Sequence, residues 1–176
     1  MISKLSPAIL RRPPKDLTRY VCGFAFSHDF ELVYLIRKLR PVWQNGLLNG
    51  IGGRVDADET TLRAMCREFA EETGVATRSS DWTEIEVLTD KSVEVSFFTT
   101  RLNAADDPST MTDELIHPIF WKRYSMQKDA DDVNWAATWL SLKTIANVPY
   151  LVLKGFCFLT EPERNRMEKQ RQQDVR

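Results

Sequence analysis

The stretch Asn49-Gly50-Ile51-Gly52-Gly53-Arg54-Val55-Asp56-Ala57-Asp58-Glu59, followed after residues 60–66 by Arg67-Glu68-Phe69-Ala70-Glu71-Glu72-Thr73-Gly74-Val75, decides the fold. A glycine-rich loop runs here into a helix. Residues 59–73 have helical spacing, with Asp58 as the predicted N-cap and Gly74 as the C′ glycine that ends the helix. At ~100° per residue, Leu62, Met65, Cys66 and Phe69 form a core stripe. Glu68, Glu71 and Glu72 form an acidic face beside it. Carboxylates at i, i+3 and i, i+4 repel one another, and Arg67 offsets part of that by pairing with Glu71. The further partner this face suits is a hard divalent cation, since Mg²⁺ is held by one or two carboxylates together with phosphate oxygens and water. The glycines let the backbone approach such a ligand closely. Alone, a glutamate-rich helix face is a solvated face. The glycine loop in front of it supports the sharper reading.

Moving outward, residues 20–26 and 31–38 are short, aromatic and β-branched, and predict a hairpin turning at Ser27-His28-Asp29. Residues 84–88 and 93–102 predict two more strands, and 103–112 a polar loop. Apolar segments at 115–121 and 133–142 predict later strands. The run 148–159 is helix or strand, because a continuous apolar run carries no period. Strands, helix, strands and a last apolar element predict an α/β fold with a mixed sheet. Residues 1–19, with Pro7, Pro13 and Pro14, read as an extended arm. Residues 20–160 read as one domain, and 161–176 as a polar tail.

Composition bounds the function. A chain of 176 residues with 43% hydrophobic and 28% charged residues forms a single globular core. The 24 basic and 25 acidic residues leave a net charge of −1, which argues against stable, sequence-independent DNA binding. Cys22, Cys66 and Cys157 are far apart and form no CxxC pair, which predicts buried thiols in a reducing compartment. No run approaches ~18 apolar residues, and the N-terminus lacks the apolar core of a signal peptide. The expected protein is cytoplasmic, away from membranes, and a monomer or homodimer.

The quoted segment resembles the signature of the Nudix hydrolase family: Gly53, Glu59, Arg67, Glu68, Phe69, Glu71, Glu72, Gly74 and Val75 stand in register with its Gly-x5-Glu-x7-Arg-Glu-aliphatic-x-Glu-Glu-x-Gly-aliphatic pattern. Phe69 departs from it, standing where an aliphatic residue is usual, and predicts local repacking. The resemblance implies an α/β/α sandwich with a mixed sheet and a Mg²⁺- or Mn²⁺-dependent enzyme. Such an enzyme cleaves a diphosphate linkage by water attack on phosphorus. By position, Glu68, Glu71 and Glu72 are the implied metal ligands and catalytic carboxylates, with the Gly52 carbonyl as a further ligand. Glu68 is alternatively the general base. Arg67 orients the glutamates, and Glu59 is structural. A later acid completes the site, either Glu114 or the Asp129, Asp131 and Asp132 cluster.

The nucleotide partner is less determined. The run Asn49-Gly50-Ile51-Gly52-Gly53-Arg54-Val55 is similar to that of MutT-like triphosphatases acting on oxidised purines. That likeness implies Asn49 and Trp139 as base contacts; Gly53 and Glu114 are further substrate candidates, and Arg37, at the end of the second strand, is a phosphate candidate. Lys38 and Arg40 end the same strand as Arg37 and are further phosphate candidates. Leu48 stands where some relatives carry an aromatic residue. The expected reaction converts a nucleoside triphosphate, oxidised or otherwise non-standard, to monophosphate and diphosphate. The competing readings are hydrolysis of ADP-ribose, dinucleotides or an RNA 5′ cap, and a non-catalytic nucleotide-binding module.

Overall fold

The computed structural model describes residues 17–90, 92–119, 144–145 and 147–160. The elements are β1 (Thr18–Phe26), β2 (Val33–Arg37), a 3-10 turn (Val42–Gln44), β3 (Leu48–Asn49), α1 (Thr61–Thr73), a second 3-10 turn (Ser79–Asp81), β4 (Thr83–Asp90), β5 (Val93–Arg101), β6 (Leu115–Ile119) and a helix α2 over residues 148–160. The expected 133–142 strand, the tail 161–176 and most of the N-terminal arm lie outside the described residues.

β1 and β2 form the antiparallel hairpin predicted, with Ala25 opposite Tyr34 and Phe26 opposite Val33. β1 begins at Thr18, two residues earlier than expected, because Thr18 and Arg19 already pair with Val93 and Glu94. That β1–β5 pairing is parallel, while every other named strand pair is antiparallel, so the sheet is mixed. Strand order is β3-β2-β1-β5-β4, with β6 pairing against β2.

Period-2 alternation sends side chains to both faces, and each face is covered. On one face Phe24 and Phe26 of β1 and Leu35 of β2 pack with Val148, Leu151 and Val152 of α2. On the other, Val21, Ala25 and Ile36 pack with Ala64, Met65 and Phe69 of α1. The result is the α/β/α sandwich expected. Burial of each such large side chain contributes about 1.5–3 kcal/mol. The 148–159 ambiguity resolves as helix, because this run supplies the layer over the second face.

Three local readings need correction. The N-cap of α1 is Thr60, whose hydroxyl accepts from the Arg63 N–H, and not Asp58. The fully buried stripe is Ala64, Met65 and Phe69, with Leu62 and Cys66 only partly covered at its margin. Among the cysteines only Cys22 is buried; Cys66 is half-buried and Cys157 exposed. The C-terminal reading holds: Gly74 sits at φ 75° and donates to the Ala70 carbonyl. Phe69 is accommodated edge-on against Trp82 at 5.2 Å between ring centroids. No helix among the described residues is long and apolar enough to cross a membrane.

Candidate active site

The loop before α1 is stitched to β1. Ile51 and Gly23 exchange backbone hydrogen bonds of 2.9 and 2.7 Å, Val21 N–H donates to the Gly53 carbonyl, and Val55 N–H donates to the Arg19 carbonyl. Gly52 has φ +149°, and a Cβ there would lie 2.2 Å from the Val21 carbonyl oxygen. Only glycine brings the backbone this close to the strand. The Gly52 N–H then donates to Glu72 Oε2 at 3.1 Å, which ties the loop to the helix. Among the described residues none donates a hydrogen bond to the Gly52 carbonyl.

Arg67 organises the acids. It grips Glu59 with two nitrogens, at 3.1 and 2.9 Å, and reaches Glu68 at 2.8 Å, Glu71 at 3.3 Å and the Arg54 carbonyl at 3.0 Å. Its principal partner is therefore Glu59 across the loop, with Glu71 a weaker contact than the sequence suggests. The bond to Glu59 raises the guanidinium pKa still further, and the same bond holds the Glu59 carboxyl below its usual range. Burial pushes the Glu68 carboxyl up against the opposing pull of Arg67. Burial also pushes Glu72 up to about 7; Lys38 and the Gly52 N–H pull it down, while Glu68 and Glu114 add to the rise.

Glu114 arrives from the other side of the chain. Ser109 N–H and Met111 N–H donate to the Thr73 and Glu72 carbonyls. These are end-of-helix acceptors that have no intrahelical partner. The bonds dock the 109–112 segment on α1, and Glu114 follows next to Glu72. Its carboxylate is buried; it accepts from Leu39 N–H at 2.7 Å and Arg40 N–H at 3.3 Å, and pairs with Lys38 Nζ. Burial raises its pKa, but Lys38 and these N–H groups outweigh that and hold the carboxyl below its usual value.

These groups line one cavity of about 340 Å³, which includes Glu68, Glu71, Glu72, Glu114, Lys38 and Arg54 on its walls, along with Gly52 and Gly53. The donor set fits a hard cation, being oxygen throughout, with room for phosphate. The carboxylates do not yet converge: among the described residues no three acidic side chains form a ready-made cation site. Glu68 is turned to Arg67 and Glu114 to Lys38.

The other sequence candidates fall around this cavity. Asn49 lies on β3, half-buried, with Oδ1 accepting from Gly50 N–H at 2.8 Å and from Cys22 Sγ at 3.6 Å. Arg37 is outside the cavity lining; it donates to the Gly46 carbonyl and to His117 Nε2. Trp139 and the Asp129, Asp131 and Asp132 cluster lie outside the described residues. Sequence reading gave Arg54 no role, and Lys38 only one shared with its neighbours at the strand end. Lys38 and Glu114 are far apart in the chain, so no local spacing signals their pairing.

The fold is an α/β/α sandwich whose cavity is built on a glycine loop and a glutamate helix. The NUDIX domain family model matches residues 17–154, and the chain belongs to that family of hydrolases. Its members generally need divalent cations. Solved structures share the fold at low identity. A MutT from work on Aliivibrio salmonicida and Vibrio cholerae is 19% identical, with a TM-score of 0.52 over 70% of this chain and 97% of that one. The NUDIX domain of Shewanella oneidensis NrtR, in complex with ADP ribose, is 16% identical, with a TM-score of 0.61 over 83% and 90%. A NUDIX-family hydrolase from Clostridium perfringens is 14% identical, with a TM-score of 0.53 over 82% and 99%. No curated protein matches the chain.

Proposed function

We propose that this protein hydrolyses a nucleoside triphosphate to the monophosphate and diphosphate by attack of water on phosphorus. The observation that carries the reading is the meeting of Glu68, Glu71 and Glu72 with Lys38 and Arg54 around one cavity. Glu68, Glu71, Glu72 and the Gly52 carbonyl would hold Mg²⁺ or Mn²⁺. The bound cation supplies charge neutralisation at phosphate and a lowered pKa for water. The chain's own groups do the rest. Arg67 fixes Glu59 and Glu68 in one frame, from which Glu68 would turn toward the cation. Lys38, Arg40 and Arg54 are the cationic side chains of the cavity that would meet phosphate oxygens.

A purine base is favoured by Asn49. Its oxygen is committed to Gly50, which leaves the Nδ2 donor to meet an acceptor on a base edge. ADP-ribose, dinucleotides and capped RNA are the competing substrates, and the fold likeness to the ADP-ribose-bound NrtR domain keeps ADP-ribose first among them. We place the protein in the cytoplasm, acting as a monomer or homodimer.

The test is a substrate panel at fixed Mg²⁺, with wild type beside Glu72→Gln. Release of monophosphate and diphosphate from triphosphates, lost in the variant, supports the reading and identifies the base. Turnover confined to ADP-ribose or capped RNA removes the triphosphate assignment.

A further inference from the structure

A second cavity of about 360 Å³ adjoins the first, and Arg54 lines both. Its walls carry Arg19, Arg54 and the aliphatic side chains of Leu17 and Val55, with Asp56 as the one acid. The two arginines are differently placed. Among the described residues the Arg19 side chain donates only to the Glu59 carbonyl, at 3.3 Å. Arg54 is exposed and makes no ion pair with any described residue, its carbonyl alone being held, by Arg67. Cations that lack carboxylate partners and face a cavity are poised for an external anion. Nothing in the proposed hydrolysis uses Arg19 or this cavity.

The geometry points to a second subsite, in which Arg19 and Arg54 bind a phosphate-bearing end of the substrate that extends beyond the scissile diphosphate. This inference rests on the phosphoanhydride reading of the first cavity and deepens it. The preferred substrate carries at least one more phosphate than the linkage needs, with Arg54 at the junction. Asp56 opposes that anion, so it limits affinity and favours substrates whose extra charge meets the arginines.

The probes are inorganic diphosphate and inorganic tripolyphosphate, titrated calorimetrically into the full chain at fixed Mg²⁺. Wild type is expected to prefer tripolyphosphate. In Arg19→Gln that preference falls about tenfold, the loss expected for a charge-assisted hydrogen bond. Arg19→Lys restores most of it. Asp56→Asn, at an exposed side chain, raises the preference, which provides a reading even where Arg19→Gln fails to fold. A preference unchanged in Arg19→Gln and Asp56→Asn overturns the subsite. Because these probes need no turnover, the two readings separate. Arg19-dependent binding in a protein that hydrolyses no triphosphate keeps the subsite and removes the triphosphatase. Triphosphate hydrolysis with an Arg19-independent preference does the reverse.

Discussion

The backbone of Gly53 lies directly against the carboxylate of Glu68: a Cβ at Gly53 would stand 2.5 Å from Glu68 Oε2. Glu68 is thus clamped between a loop that has no side chain and the Arg67 guanidinium at 2.8 Å. Gly53→Ala must displace the carboxylate or the loop. Misplacement of a reacting group by about 1 Å costs on the order of 10²-fold in rate. We expect a loss of that size in kcat/KM on the best substrate of the panel. Circular dichroism should stay that of the wild type, since the clash falls in the site.

Glu72 couples stability to pH. Its carboxyl is raised to about 7 in the folded chain, from an ordinary value of 4.5. The folded state therefore holds a proton that the unfolded state releases between those values, so stability from this group falls as pH rises from about 4.5 through 7 and stays low above. With a chelator present, the melting temperature should drop by a few degrees, about 5 °C, between pH 5 and pH 8. Glu72→Gln should flatten that slope. Mg²⁺ should raise the melting temperature of wild type at pH 8, and much less that of the variant.

Glu114 brackets the β2–β3 connection. Its removal strands the N–H groups of Leu39 and Arg40 and a Lys38 ammonium whose side chain is mostly covered. Glu114→Ala should cost about 2–4 kcal/mol in urea unfolding, because unsatisfied buried donors and an unpaired cation add. Glu114→Gln keeps the backbone bonds and should cost less than half of that.

The three thiols should separate by reactivity. Cys22 is fully buried, and that burial pushes its pKa up to about 12, so only ~10⁻⁴ is thiolate at pH 8. Cys157 is exposed on α2 and Cys66 half-buried. A thiol-titrating reagent should label Cys157 quickly, Cys66 more slowly and Cys22 only in denaturant. Fast labelling of Cys22 in the native protein would contradict its placement beside Asn49 and Gly50.

The sequence made some of this legible and not the rest, for physical reasons. The hairpin, α1 and its glycine stop follow from period and cap chemistry, which are local. The N-cap did not, because Asp58 and Thr60 are both good caps and only the hydroxyl-to-Arg63 bond separates them. The state of 148–160 did not, because a largely apolar run with Lys154 as its one charge has too little polar face to set a period. It is helical because the sheet face formed by Phe24, Phe26 and Leu35 needs a cover. The glutamates were readable from their spacing. Lys38 with Glu114, Arg67 with Glu59 across the loop, and Arg54 shared by two cavities depend on how separate segments are docked, and spacing carries no record of that.

The parallel pairing of β1 with β5 extends over nine residue pairs, and the whole glycine loop and α1 lie between them in sequence. That arrangement governs the order of assembly. The β1–β2 hairpin closes a short turn and forms early. The central pair closes a long loop, whose entropy is lost before its contacts are made. The frame that holds Gly52 against Val21 is β1 itself, and Met111, which docks Glu114's segment on α1, follows β5. Cation affinity should therefore emerge only in the last refolding phase, as a property of the finished sheet and never of its early pieces.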